Sequence, residues 1–324
     1  MDTIHLCIAA DKNYKLPLTA LANSIFKNTS AHKCVVHVLF TNISEKYRSK
    51  LIKKYEKTNI SFDFIDMSEY NFDFHGLDMQ YWTKAIFYRI MIPEIFKDLK
   101  RILYIDGDTL VMRDLYDFFN MELPDDKMLA MVLDKFSWDK RMKVLNTSCY
   151  YNSGVILFDI QKCISEDFSQ KCIQWLYNHS DIAIYPDQDA INVICNNKIV
   201  SLSNIYNKMI EPRHYVVIEQ HPYILHFLSE VKPWMWKYPS KFDLLYLPYI
   251  PMKFIRIKIR FLHFIMDVKN FCFHTKHSMI LEKSNVLDQC KYYIFNICIY
   301  TKNIAQYNFI EIFKQKKSEE LKCS

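Results

Sequence analysis

Residues 4–14 read Ile4-His5-Leu6-Cys7-Ile8-Ala9-Ala10-Asp11-Lys12-Asn13-Tyr14. A short apolar run stops at turn and cap residues, the pattern of a buried strand that ends in a loop. Over residues 15–28 the apolar positions Leu18, Leu21, Ala22, Ile25 and Phe26 recur at the spacing of one helix face. Residues 35–40 are strand-like again, Ile43-Ser44-Glu45 opens a charged helix through Lys57, and residues 60–65 alternate as a strand. Strand–helix–strand–helix–strand predicts an α/β fold with a mainly parallel sheet. Right-handed crossovers in such a sheet put the ligand at the carboxyl ends of the strands.

The alternation continues outward. A helix is expected over residues 81–92, with Arg89 inside it and Pro93 ending or kinking it. Residues 101–105 form a strand ending at Asp106-Gly107-Asp108, and residues 128–133 a strand ending at Asp134. A strand over residues 155–158 follows Asn152-Ser153-Gly154. Residues 163–179 read as one helix, Asp187-Gln188-Asp189 opens another through Ile194, and residues 222–227 look like a late strand. No internal repeat or low-complexity linker interrupts the chain. Composition shifts near Pro248 and Pro251, which divides it into a domain of residues 1–250 and an extension of residues 251–324.

The chain has 324 residues, 50% hydrophobic and 24% charged. That composition supports a large buried core and excludes a disordered chain. Three glycines exclude a collagen, a glycine-rich linker and an enzyme built on repeated Gly-rich phosphate loops. The net charge of +6 is unevenly placed: residues 251–324 hold 13 Lys and Arg against 6 Asp and Glu, and the first 250 hold 29 against 30. A near-neutral body with a basic, aromatic tail suggests an anionic surface as the partner of the tail. Ile255-Arg256-Ile257-Lys258-Ile259-Arg260 alternates apolar and basic residues. Phe261-Leu262-His263-Phe264-Ile265-Met266 and Lys291-Tyr292-Tyr293-Ile294-Phe295 add aromatics. This pattern suits attachment to an anionic membrane surface; the alternative is that these aromatics complete the core. No basic recognition helix or RNA-binding aromatic motif points to nucleic acid. The ten cysteines include no CxxC pair and read as buried small hydrophobes in a reducing compartment. The N-terminus lacks the features of a signal peptide, and no apolar run reaches 18 residues. A cytoplasmic location follows as the expectation, with a peripheral place on the inner face of the membrane.

The chemistry-bearing residues gather at predicted element ends. Asp106 and Asp108 flank one residue directly after an apolar strand, and alternation puts both carboxylates on one side. Hard oxygen ligands at that spacing suit Mg²⁺ or Mn²⁺, which can bridge a diphosphate and take up leaving-group charge. Taken alone, the same residues also make an ordinary turn. Asp134 ends a strand, and Ser153-Gly154 after Asn152 permits close backbone approach to a ligand. Asp187 and Asp189 also fit the acidic first turn of any helix. His226 ends an apolar run, where a core histidine is as natural as a ligand, and a lone Lys232 is equally at home in solvent.

Together these residues resemble glycosyltransferase family 8, in particular its bacterial lipopolysaccharide and lipooligosaccharide glucosyl- and galactosyltransferases. The resemblance rests on ordered matches over roughly residues 3–240. They are Ala9-Ala10-Asp11-x-Asn13-Tyr14, Phe87-Tyr88-Arg89, Leu103-Tyr104-Ile105-Asp106-Gly107-Asp108, Tyr151-Asn152-Ser153-Gly154-Val155, Asp187-Gln188-Asp189-x-x-Asn192, and His226 followed by Lys232-Pro233-Trp234. The resemblance implies a GT-A fold, a Rossmann-like nucleotide-sugar-binding α/β domain. It implies Mn²⁺ (or Mg²⁺) held by Asp106, Asp108 and His226. Ala9, Asp11 and Asn13 would contact uridine, Arg89 would lie near the donor, and Lys232 would pair with the diphosphate. Asp134, Asn152, Asp187 and Gln188 would surround the donor sugar. One departure stands out: relatives often carry Gly three positions after the metal His, and here Ser229 is followed by Glu230.

The activity so implied is a retaining hexosyl transfer, of glucose or galactose, from a UDP-sugar to a hydroxyl of a lipopolysaccharide or other glycan acceptor, forming an α-linkage. Two other classes compete: a non-catalytic module that binds nucleotide-sugar or glycan, and a membrane-associated scaffold acting through the tail.

Overall fold

The computed structural model describes residues 3–29, 31–70, 72, 74, 77, 83–136, 138–210, 221–228, 232–234 and 243–250, together with 283–284, 291–294 and 297–298. Tyr81 and Trp82 of the expected helix, Ser229, Glu230 and most of the basic aromatic tail lie outside the described residues. The chain divides into two compact units. The first comprises Met1–Met209 with Pro222–His226, and the second Ile210–His221 with Phe227–Ser324.

The first unit opens as the periodicity requires. Strand β1 (Ile4–Ala10) leads through a short 3-10 turn to helix α1 (Lys15–Thr29). Then come β2 (Cys34–Phe40), α2 (Glu45–Tyr55) and β3 (Ile60–Asp66). A 3-10 helix over Lys84–Met91 runs into the one-turn helix α3 (Ile92–Ile95) and then β4 (Arg101–Ile105). Next follow β5 (Thr109–Val111), α4 (Tyr116–Phe119), β6 (Leu129–Leu133), α5 (Trp138–Leu145) and β7 (Tyr151–Asp159). The helices α6 (Ile160–Ser165), α7 (Phe168–Asn178) and α8 (Pro186–Ile194) precede β8 (Ile199–Leu202), β9 (Lys208–Ile210) and β10 (Ile224–Phe227).

Seven strands form the main sheet in the order β3-β2-β1-β4-β7-β6-β8. All the pairings are parallel except those of β7, which runs antiparallel to both β4 and β6. Alternate residues of each central strand enter opposite apolar clusters. Cys7, Tyr104 and Ile156 lie in one, and Leu6, Leu103 and Leu157 in the other. The centre of the sheet is therefore covered on both faces, which explains why its central strands read as continuous apolar runs, whereas the edge strand β3 alternates.

Three local features differ from the sequence pattern. Asn152, Ser153 and Gly154 lie inside β7, not before it, because β7 pairs on both sides; the register irregularity between Ala130 and Val132 lets Asn152 sit opposite Val132. The apolar periodicity over residues 163–179 runs through a break. Asp167 adopts the left-handed conformation (φ 53°, ψ 36°) between α6 and α7, so one apparent helix is two. The segment around Arg89 is a 3-10 helix, and Pro93 sits in the first turn of α3, where no amide proton is needed.

The strand β5, directly after the Asp106–Asp108 turn, pairs antiparallel with β10, in register His226 to Thr109. Sequence-distant His226 is thereby carried to the end of β4. In the second unit, Phe227 and Trp234 both pack on Tyr246 of helix α9 (Asp243–Tyr246). β11 (Lys283–Ser284), β12 (Lys291–Ile294) and β13 (Ile297–Cys298) pair as a small antiparallel sheet. Among the described residues, no helix is long and apolar enough to cross a membrane.

Candidate active site

The carboxyl end of β4 supplies Asp106, whose backbone N–H donates to Gly154 O at 2.8 Å. Tyr104, two residues earlier on the same face, donates its hydroxyl to Asp106 Oδ1 at 2.6 Å. Asp106, Asp108 and His226 each bring one ligand atom within 4.8 Å of the others. His226 Nε2 stands 3.3 Å from Asp108 Oδ1 and 3.8 Å from Asp106 Oδ2. Gly154 makes this approach possible. A Cβ added there would lie 2.2 Å from His226 Cε1 and 2.8 Å from Asp106 Oδ2, distances no real side chain tolerates. Gly107 serves a similar end, because a Cβ there would come 2.7 Å from the Tyr14 ring.

Two carboxylates and an imidazole around a common point are the donor set of a hard-to-borderline divalent cation. The geometry fits such an ion: the three atoms converge, the histidine and Asp108 are buried, and the neighbouring strand is cut back to glycine to admit the ring. Like-charged carboxylates are brought together here with Arg89 as counter-charge. Arg89 is 5% exposed. It lies 2.8 Å from Asp106 Oδ1 and 3.1 Å from Asp187 Oδ2, and donates to Ser153 O at 2.7 Å. Burial disfavours the Arg89 charge, but Asp106 and Asp187 outweigh it and raise its pKa above the ordinary guanidinium value. Burial raises the pKa of the Asp187 carboxyl, against the opposing pull of Arg89.

A second cluster adjoins the first. Gln188 Nε2 donates to Asp134 Oδ2 at 3.0 Å, and Gln188 Oε1 accepts from Ser153 N at 2.9 Å. Asn152 Nδ2 lies 3.3 Å from both Asp134 Oδ2 and Gln188 Oε1. Ser153 Oγ donates to Asp187 Oδ2 at 2.9 Å. Asp134, Asn152, Asp187 and Gln188 are thus in one buried network, linked through Arg89 to Asp106.

The remaining members of the helix-opening motif hold this arrangement in place. Asp189 is fully buried; it pairs with Arg141 at 2.6 Å, accepts the Tyr150 hydroxyl at 2.5 Å, and accepts the backbone N–H groups of Ile184 and Tyr185. Asn192 exchanges side-chain hydrogen bonds with both Tyr151 N and Tyr151 O, at 2.7 and 2.8 Å. Together they clamp α8 to α5 and to the start of β7, so Asp187 and Gln188 are presented from a fixed helix start.

At the end of β1, Asp11 is buried and accepts the Asn13 backbone N–H at 2.8 Å, which shapes the turn after Ala9 and Ala10. Asn13 itself is exposed. Lys232 belongs to the second unit, where it is half-buried and its ammonium donates to Phe227 O at 2.7 Å. Supports of the site that carry no sequence signal are Arg141, which the pattern of α5 leaves on an ordinary charged helix, Tyr150, which reads as a core aromatic, and Asn207, which belongs to no motif and meets His226 Nδ1 and Asn152 Oδ1.

A family model described as Glycosyl transferase family 8 matches residues 5–237. General stress protein A of Bacillus subtilis (strain 168) is 27% identical over 253 residues, covering 72% of this chain and 88% of that protein. Lipopolysaccharide glucosyltransferase WaaO of Escherichia coli (strain K12) is 25% identical over 266 residues, covering 74% of this chain and 77% of that protein. Among solved structures, galactosyltransferase LgtC in complex with donor and acceptor sugar analogs superposes with a TM-score of 0.63 at 20% identity, over 79% of this chain and 100% of that one. That likeness identifies the fold as the GT-A glycosyltransferase arrangement.

Proposed function

The chain belongs to glycosyl transferase family 8, and on that footing we propose that it is a metal-dependent, retaining hexosyltransferase. It moves glucose or galactose from a UDP-sugar to a hydroxyl of a lipopolysaccharide or other surface glycan, forming an α-linkage. The observation that carries this reading is the convergence of Asp106, Asp108 and His226 beside the buried Asp134–Asn152–Gln188–Asp187 network. The similarity to a protein named as a lipopolysaccharide glucosyltransferase supports the choice of substrate class.

Asp106, Asp108 and His226 Nε2 would hold Mn²⁺ (or Mg²⁺), which when bound would supply a Lewis acid for the charge of the departing diphosphate. Ala9, Asp11 and Asn13 receive the uridine, and Lys232 meets the diphosphate as a point charge. Arg89 keeps the Asp106 and Asp187 carboxylates apart in orientation while balancing their charge. Asp187 and Asp134 hold sugar hydroxyls, and Asn152 and Ser153 set the carbonyl side of the Gln188 amide.

Gln188 offers an amide, a poor nucleophile, so a double displacement through this residue is not the route its chemistry fits. The route it fits is front-face substitution. The bond from the anomeric carbon to the UDP oxygen breaks and the acceptor oxygen bonds to the same face. The hydroxyl proton passes to a phosphate oxygen of the leaving UDP. Configuration is retained, and Gln188 stabilises the oxocarbenium-like sugar. The basic aromatic segment 251–324 we assign to attachment at an anionic membrane surface, which would bring the active site to lipid-borne acceptors on the cytoplasmic side. Salt-reversible sedimentation with anionic liposomes tests it.

The test of the function is UDP release from UDP-glucose and UDP-galactose with acceptor glycans, in Mn²⁺ and in EDTA, followed by NMR of the new linkage. Mn²⁺-dependent release with an α-linked product supports the reading. A β-linked product, or release undiminished in EDTA, contradicts it.

A further inference from the structure

We propose that Asn207 is the positioning residue of the metal centre: it fixes His226 as the Nδ1–H tautomer and so presents the bare Nε2 to the ion held by Asp106 and Asp108. The inference rests on the metal-dependent reading above and adds to it a residue outside every sequence motif.

The direction of each hydrogen bond follows from groups whose role is not adjustable. A backbone N–H only donates and a carboxylate only accepts. Gly154 N donates to Asn152 Oδ1 at 3.0 Å, and Asp134 Oδ2 accepts from Asn152 Nδ2 at 3.3 Å. Those two contacts fix which end of the Asn152 amide is which. The Asn207 amide meets the same Asn152 Oδ1 at 2.9 Å, so it does so through Nδ2. Its Oδ1 is thereby turned to His226 Nδ1, 3.1 Å away, and can only accept there. The ring proton is therefore on Nδ1. The lone pair is on Nε2, the atom 3.3 Å from Asp108 Oδ1 and 3.8 Å from Asp106 Oδ2.

The opposite tautomer would have its own attraction: an Nε2–H could donate to the carboxylates themselves. A neutral acceptor on the far side of the ring removes that option by binding the single proton first. Asn207 is fully buried. A buried amide costs more than an apolar residue of the same size unless both ends are satisfied, and here one end is used on the imidazole and the other on Asn152. The chain of bonds does not stop there, since Asn152 also reaches Asp134 and Gln188. The orientation of the metal-side imidazole and that of the sugar-side amide are set by one continuous network.

The decisive measurement is Mn²⁺ affinity of the full chain with UDP present, read from the free-ion EPR signal, for wild type, Asn207→Leu, His226→Ala and the double variant. Asn207→Leu should weaken Mn²⁺ binding by about 10–100-fold, the usual cost of losing an outer-shell partner. It should add nothing in the His226→Ala background, because its effect passes through the ring. An equal loss in both backgrounds, or no loss in either, overturns the inference. If Asn207→Leu does not fold, the unsubstituted protein decides: ¹⁵N-histidine NMR of its Mg²⁺–UDP form should show His226 protonated at Nδ1 and bare at Nε2, and an Nε2–H signal overturns the assignment. Wild-type protein that takes up no Mn²⁺ overturns instead the metal reading on which the inference stands.

Discussion

Gly154→Ala adds one methyl group where the metal-side histidine passes the strand. The backbone of Gly154 is not in the left-handed region, so alanine meets no conformational penalty in β7 and the whole effect is steric. The new Cβ would lie 2.2 Å from His226 Cε1 and 2.8 Å from Nδ1. Carbon atoms in contact rest at about 3.5 Å or more, so ring or strand must give way by roughly 1.3 Å. Metal–ligand distances tolerate only about 0.2 Å, and the ring, buried and tied to Asn207, cannot retreat without breaking its own orienting bond. The variant therefore loses His226 as a ligand and crowds Asp106, whose Oδ2 would stand 2.8 Å from the new Cβ, while leaving Asp108 in place. A misplacement of this size costs on the order of 100-fold in turnover, about 2.7 kcal/mol. The assay is UDP release against Mn²⁺ concentration, with circular dichroism to establish that the fold is retained. In a His226→Ala background the 2.2 Å contact no longer exists and only the 2.8 Å approach to Asp106 Oδ2 remains, so the same methyl group should change the Mn²⁺ titration less than it does in the wild type. A Gly154→Ala enzyme with the wild-type rate and the wild-type Mn²⁺ titration would refute the close-approach reasoning.

Asp106→Ala or Asp108→Ala should abolish turnover with the fold retained, and full UDP release by either variant in EDTA would remove both from the metal site. Asp189→Ala leaves Arg141 buried without its carboxylate partner, which should cost about 3–5 kcal/mol in urea unfolding; a loss under 1 kcal/mol would show that the clamp on α8 lies elsewhere. Burial lowers the pKa of His5 and of His37, the latter against the hydrogen bond that its ring donates to the Asp63 carboxylate. The unfolded chain therefore takes up protons first as pH falls through the ordinary histidine value of 6.5, and stability present above that pH should decline below it. Urea unfolding at pH 7.5 and pH 5.5 measures this, and His37→Phe should reduce the slope; a slope unchanged by that substitution would contradict the assignment.

The legible part of the molecule is the part in which sequence neighbours do the work. The first three strands and two helices follow from local periodicity because β1 and β2 are buried on both faces, the edge strand β3 alternates, and each helix carries one apolar stripe. Pro93 and Asp167 mark where locality fails. Periodicity does not distinguish a 3-10 helix from an α-helix over eight residues, nor one helix from two that share an apolar face across a single left-handed residue. The site divides in the same way. Asp106 and Asp108 lie at a strand end where alternation already places them. His226 joins them through a β5–β10 pairing with more than a hundred residues between the partners, which no local pattern encodes, and the ordered motifs of the family supplied it. The supports were invisible for a different reason. Asn207, Arg141 and Tyr150 act through hydrogen bonds to other side chains, and a polar residue that positions another reads in sequence like any loop asparagine, helix arginine or core tyrosine.

Isothermal titration of UDP into the full chain, with Mn²⁺ and with EDTA, tests the central claim most directly when run beside the Asp106→Ala and Asp108→Ala variants. Two carboxylates and an imidazole that share one ion with a diphosphate predict tight UDP uptake only with Mn²⁺, lost in both variants. UDP binding of equal strength in EDTA, or Mn²⁺-dependent binding that survives both substitutions, would contradict the account.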